Sequence, residues 1–281
     1  MDAERGDRAV RALGVSLTDG GTPWREQLRL IAETGFDYTF FDWEEETDTL
    51  ERAQFARAQG LRIDSLHAPF GGINSFWQDT QAGADYHALM LRIIDECAAA
   101  DIHKLVMHTT VGNHPPETCE LGFIRYRTMC DYAKEKNVHI CFENLEPFPH
   151  LHEIMAAIDG PFHGFCWDCG HNLCYTPHID MMALYGDRLQ CLHLHDNYGV
   201  TQPGNIDFRD DLHMLPFDGV LDWDWAARKI VQSGYDGPLT FEYSSRTARR
   251  HADRPYREFL QTAMERAVRF RDMCEAIEQQ P

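Results

Sequence analysis

The chain has 281 residues, 43% of them hydrophobic, and a formal charge of −19 at pH 7. That length and apolar content are enough for one large α/β core without a second domain, so 1–281 is read as a single domain. The charge disfavours nucleic-acid phosphates and anionic membranes as partners, and no segment approaches the run of about 20 apolar residues that crosses a bilayer.

In chain order, the first strand is predicted at 12–17 (ALGVSL), followed by a helix over 22–35 with Gly35 at its C-cap. A second strand, 38–43 (YTFFDW), leads into a helix over 47–60 ending on Gly60. The third strand, 62–67, ends on His67 and opens a Gly-containing loop with Phe70, Phe76 and Trp77. Those rings are expected either to cover the apolar face of a sugar or to pack the loop. A helix over 84–101 precedes the fourth strand at 104–109, which carries His108, and a helix over 121–137 follows, capped by Asn137. Further strands are predicted at 139–144, 163–168, 189–195 and 238–243. They carry Glu143, then Asp168, then His193 with His195, and finally Glu242. The polar stretch from Glu275 reads as a frayed helix end.

Alternation of strand and helix argues for parallel βα units, and eight of them argue for closure into a single (β/α)8 TIM barrel. A doubly wound open sheet does not explain why six strands end in ligand-type residues. The period of two gives a further check, because the residue two before each candidate is small: Ser65, Val106, Cys141, Cys166, Cys191 and Thr240. Small residues pointing inward, with Ile140, Phe142, Leu192 and Phe241 facing the helices, suit a narrow barrel interior. The nine cysteines lie in or beside these strands, and the opening MDAERGDRAVRALGV has no apolar stretch of signal-peptide length. Reduced thiols and a cytoplasmic setting are therefore expected.

A carboxylate at the end of a buried strand needs compensation. Glu143, Asp168 and Glu242 all occupy such ends, and one divalent cation would satisfy them together. With an imidazole from His193 the donor set favours Mn²⁺, with Mg²⁺, Co²⁺ and Zn²⁺ also compatible. His193 and His195 share a strand face; His193 is the favoured ligand and His195 a substrate group or a support, and the reverse assignment stays open. His171, three residues after Asp168, and Asp211 with His213 in DDLHMLPFDG are placed to return to the barrel mouth. His67 and His108 are read as holding substrate hydroxyls or further metal. His87, His103, His150, His152, His163, His178 and His251 receive no role.

Cys166 and Cys169 form CxxC, but across a strand end, which disfavours thioredoxin-like chemistry. No G-x-G-x-x-G, Walker A or G-x-S-x-G motif is present, and no organic cofactor is expected. Lys104 sits at the start of its strand, away from the active face, which disfavours a Schiff-base mechanism. Arg209 and Arg246 follow the last two strands, where they would either meet a substrate anion or stay solvated.

From about His67 to Glu242 the chain resembles the xylose-isomerase-like barrel superfamily, which holds sugar isomerases, ketose 3-epimerases, inosose dehydratases and endonuclease IV. The resemblance implies a metal site at Glu143, Asp168 with His171, His193 with Asp196, and Glu242. It also maps the additional zinc ligands of endonuclease IV onto His67, His108, His171, Asp211 and His213, all of ligand type. Phe217-Asp218-Gly219 departs from the family's Gly-x-Gly before the Asp222-Trp223 element. The leading expectation is a metal-dependent isomerase or epimerase of a sugar or related polyol, in which Glu143 and Glu242 exchange a proton with an enediolate. The alternatives are a multinuclear zinc hydrolase of the endonuclease IV type, or a sugar or inositol-derivative dehydratase on the same barrel. The partner expected is a small carbohydrate, and a homo-oligomer is compatible with the resemblance.

Overall fold

The computed structural model describes residues 10–17, 21–145, 148–202, 206–244, 251 and 253–279. Eight parallel strands follow one another around the sheet: β1 (Leu13–Ser16), β2 (Tyr38–Asp42), β3 (Arg62–His67), β4 (Lys104–Met107), β5 (His139–Glu143), β6 (Gly164–Asp168), β7 (Leu189–His193) and β8 (Leu239–Phe241). β8 returns to pair with β1. The ring closes where Leu194 bridges Phe241, with Leu194 N donating to Thr240 O at 3.0 Å and Glu242 N to Leu194 O at 3.1 Å. The expected barrel is present, and each observed strand lies within or coincides with its predicted span.

Helices α1 (Trp24–Thr34), α2 (Thr49–Ala58), α3 (Gln81–Ala99), α4 (Glu120–Glu135), α5 (Phe148–Ala157), α6 (Cys169–Tyr175), α7 (Met181–Tyr185), α8 (Trp223–Ser233) and α9 (Tyr256–Glu278) cover the ring. Their starts are set by side chains that accept orphan N–H groups: Asp48 from Glu51 N, Thr80 from Gly83 N, and Asp222 from Trp225 N. Gly35 ends α1 in the left-handed conformation at φ 101°, where a Cβ would be strained. The C-terminal helix is not frayed from Glu275. Arg11 N donates to Glu275 Oε1 at 3.0 Å and Arg11 Nε to Glu278 Oε1 at 2.9 Å, tying the helix end to the segment just before β1.

Ile140, Phe142, Leu192 and Phe241 join the large core between strands and helices. Val106, Cys141, Cys166 and Cys191 form a separate apolar layer inside the barrel, as the period of two predicts. The alternation is broken at β3. Its pairing with β2 shifts register between Thr39 and Phe41, and Asp64 reaches the interior, where it accepts from Lys104 Nζ at 2.5 Å and Thr240 Oγ1 at 3.3 Å. Lys104 also donates to Gln190 O at 3.0 Å, so the N-terminal end of the barrel is closed by a hydrogen-bonded ion pair. None of the nine cysteines is in a disulfide, and no described helix is long and apolar enough to cross a membrane.

Candidate active site

The C-terminal strand ends converge on Glu143, which is fully buried and surrounded by imidazoles. His67 Nε2 lies 3.0 Å and His108 Nε2 3.2 Å from its Oε2, while His193 Nδ1 lies 3.0 Å and His171 Nδ1 3.4 Å from Oε1. The same His193 nitrogen is 3.0 Å from Glu242 Oε2, so His193 stands between the two glutamates. Phe40, inward from β2, lies flat beneath the His193 ring with centroids 4.6 Å apart.

Asp168 does two jobs. It ends β6 and caps α6 by accepting from His171 N at 2.6 Å, which places the His171 imidazole over the barrel mouth. Asn144 holds the neighbouring strand end in register, donating to Asp168 O at 2.8 Å and accepting from Asp168 N at 2.9 Å. His195 Nε2 approaches Asp168 Oδ1 at 3.0 Å, and its ring stacks on His213 with centroids 4.1 Å apart. That approach depends on Gly170, because a Cβ there would fall 1.9 Å from His195 Cε1. Asp211 completes the second cluster, 3.2 Å from both His171 Nε2 and His213 Nδ1.

All ten site residues expected from the sequence therefore meet at one mouth. His193 joins the two glutamates and His195 joins the Asp168–His213 side, so each histidine has its own ligand-type neighbours. Burial pushes the Glu143 carboxyl up, but His193, His108 and His67 outweigh it and hold the group well below the usual carboxylate range. Burial likewise opposes charge on His193, and Glu143 and Glu242 outweigh it in the other direction.

The donor set fits a metal. His67 Nδ1 is 2.8 Å from the Ala68 carbonyl and its Nε2 3.0 Å from Glu143. His171 repeats the pattern, with Nδ1 3.1 Å from Asn144 O and Nε2 3.2 Å from Asp211. A neutral imidazole has one N–H, and the carbonyl takes it; the other nitrogen then turns a lone pair toward a carboxylate. A proton or a cation must lie between them, and a divalent ion satisfies several such contacts at once. Four groups offer ligand atoms within 4.8 Å of one another: Glu143, Asp168, His193 and Glu242; His67, His108 and Glu143; Asp168, His171, His195 and His213; and Glu143, Cys166 and His193.

Other expectations change. Asp196 is not beside His193's ligand atoms. It is buried and accepts from the backbone N–H groups of Asn197, Phe217, Gly219 and Leu221 and from Trp223 Nε1. It thereby fixes the loop that follows His213. In that loop Phe217, where the family has glycine, adopts φ 70°; its ring packs 5.4 Å from Trp223 and beneath Arg269 at 3.8 Å. Phe76 and Trp77 are buried against Tyr126, so of the three rings after β3 only Phe70 lines the cavity. Arg209 is 86% exposed and paired with Asp207, and Arg246 lies outside the described residues.

Asp42, at the end of β2, also lines the cavity and was missed, although the run YTFFD ends on an acid just as the other strands do. Tyr175 was also missed; its hydroxyl is 3.3 Å from Asp211 Oδ2, a contact that no strand pattern announces.

A closed eight-stranded parallel barrel with histidines and carboxylates at its C-terminal mouth defines a barrel protein built around a metal-type site. The chain belongs to the xylose isomerase-like TIM barrel family, whose model matches residues 18–267. An uncharacterized protein, y4fM of Sinorhizobium fredii, is 29% identical over 260 residues, covering 78% of this chain and 80% of the relative. The D-psicose 3-epimerase of Clostridium cellulolyticum H10, solved with D-tagatose, superposes with a TM-score of 0.72 at 13% identity, covering 93% of this chain and 98% of the other. The IolI protein with a bound zinc atom gives 0.75 at 15% identity, covering 94% and 98%. A xylose isomerase-like TIM barrel/4-hydroxyphenylpyruvate dioxygenase fusion protein gives 0.76 at 17% identity; the match covers 96% of this chain and 44% of the fusion.

Proposed function

We propose that the protein is a divalent-metal-dependent isomerase or epimerase of a sugar or related polyol, working through an enediolate with Glu143 and Glu242 as acid and base. The observation that carries this reading is the central group, in which Glu143, Asp168, His193 and Glu242 each offer one ligand atom within 4.8 Å of the others. A bound divalent ion, Mn²⁺ by preference of the oxygen-rich donor set, would supply Lewis-acid polarisation of a substrate carbonyl. Glu242 faces the cavity, its side chain 15% exposed, and is the carboxylate that reaches a proton on the substrate carbon. Glu143 sits deeper, across His193 Nδ1 from Glu242, and serves the opposite face. His67, His108, His171 and His213 line the same cavity and are placed to hold substrate hydroxyls. An epimerase solved with a sugar and a zinc-bound protein among the similar structures support the reading.

A second reading is favoured by the two flanking groups, His67–His108–Glu143 and Asp168–His171–His195–His213, which share Glu143 and Asp168 with the central one. Three ions side by side would suit a zinc hydrolase. Elemental mass spectrometry on protein purified without chelator or metal-affinity tag separates the two. One Mn, Co or Mg per chain supports the isomerase or epimerase, and two or three zincs support the hydrolase. No metal under replete conditions overturns both.

A further inference from the structure

The cavity over the carboxylate–imidazole floor has walls of carbon. Its volume is about 510 Å³, and Phe70, Val111, Leu145, Tyr175 and Phe208 line it beside the polar groups. Phe70, in the loop after β3, and Phe208, in the loop after β7, remain 48% and 49% exposed. Two large rings half-open at the rim of one cavity offer apolar surface that a ligand can cover. Neither is loosely placed: Phe70 stacks on His108 with centroids 5.0 Å apart, and Phe208 packs edge-on to Tyr175 at 6.1 Å.

Carboxylates and imidazoles share this mouth. Asp42, Glu143, Asp211 and Glu242 line it, and among the described lining residues there is no lysine or arginine. Arg209, next to Phe208 in sequence, is turned to Asp207 instead. A flat apolar group on the substrate would meet Phe70, Phe208 and Tyr175. A volume of this size also suits a ligand with a ring attached to its oxygenated head.

We propose that the substrate is a polyol-like hydroxycarbonyl compound bearing an aryl group, its oxygens on the histidine–carboxylate floor and its ring against Phe70, Phe208 and Tyr175. The inference rests on the metal-dependent reading above, and the test separates the two. Hydroxamates chelate a divalent ion through adjacent oxygens, so acetohydroxamate, benzohydroxamate and phosphonoacetohydroxamate share a head and differ only in what it carries. Calorimetric titration of each into the metal-loaded full chain is expected to show benzohydroxamate binding at least about tenfold tighter than acetohydroxamate, from burial of the ring. In Phe208→Ala and Phe70→Ala the advantage is expected to shrink to within about threefold, with acetohydroxamate affinity held in Phe208→Ala, whose ring packs on Tyr175 rather than on a ligand-type residue. Equal binding of the aryl and methyl probes, tightest binding of the phosphonate, or an aryl advantage that survives in both variants overturns the aryl substrate and leaves the metal-dependent reading standing. Failure of all three hydroxamates to bind overturns that reading and this inference together.

Discussion

The two ends of the barrel handle buried charge in opposite ways. At the N-terminal end Lys104 and Asp64 answer each other, with Thr240 and the Gln190 carbonyl completing the hydrogen bonds. At the C-terminal end Glu143, Asp168, Asp211 and Glu242 face His67, His108, His171, His193, His195 and His213, and several imidazoles turn both nitrogens to acceptors. The lower end is complete within the chain. The upper end needs a proton or metal supplied from outside, which is what a site for chemistry requires and a structural ion pair does not.

The sharpest way to break this contrast is Glu242→Gln, a change of one atom at the upper end. Turnover is expected to fall by about a thousandfold or more, near 4 kcal/mol of transition-state stabilisation, while metal is partly retained. Full activity, measured by polarimetry on converted sugar, would sink the two-glutamate mechanism. At the lower end Lys104→Met leaves Asp64 buried and unpaired. A loss of about 3–5 kcal/mol in denaturant unfolding is expected, with metal content unchanged; metal loss in this variant would show that the ends are not independent.

A third test uses a histidine outside both ends. His163 Nδ1 accepts from Ile140 N at 2.9 Å and Nε2 donates to Cys130 O at 2.9 Å, so the neutral ring is satisfied. Burial pushes it down to about 4. The unfolded chain binds this proton below about pH 6.5 and the folded chain does not, so stability is full above that value and falls as pH drops toward 4, by about 2–3 kcal/mol. His163→Gln keeps an acceptor and a donor but cannot titrate. Its unfolding free energy is expected to lose correspondingly less over that interval, and an unchanged slope would show that another group carries the acid sensitivity. The smallest effect is expected from Asp196→Asn, which weakens the acceptor for five donors, four of them beyond His213. A cost of about 1–2 kcal/mol in thermal unfolding is expected. Weaker metal binding confined to the His213 side would refine the division between the central and flanking groups.

Much of the site was legible because strand ends in a parallel barrel all face one way, and a polar residue closing an apolar run is visible in one dimension. Asp42 fits the same rule and could have been found by it. Asp64 could not, because the register shift in β3 that carries it inward depends on pairing with β2. Phe76 and Trp77 share a loop with Phe70, and the sequence gives no sign that two rings pack on Tyr126 while the third stays open. Asp196 reads as a ligand by its spacing from His193, yet its side chain turns to a loop some twenty residues further on.

The eight-fold alternation, the small inward layer and the ten residues at the mouth are readable along the chain, because periodicity and residue type are local properties. Which histidine faces which carboxylate is set by the folded barrel. That assignment depends on distances between strands far apart in the chain: His193 stands between Glu143 and Glu242, and His195 reaches Asp168 and His213 across Gly170.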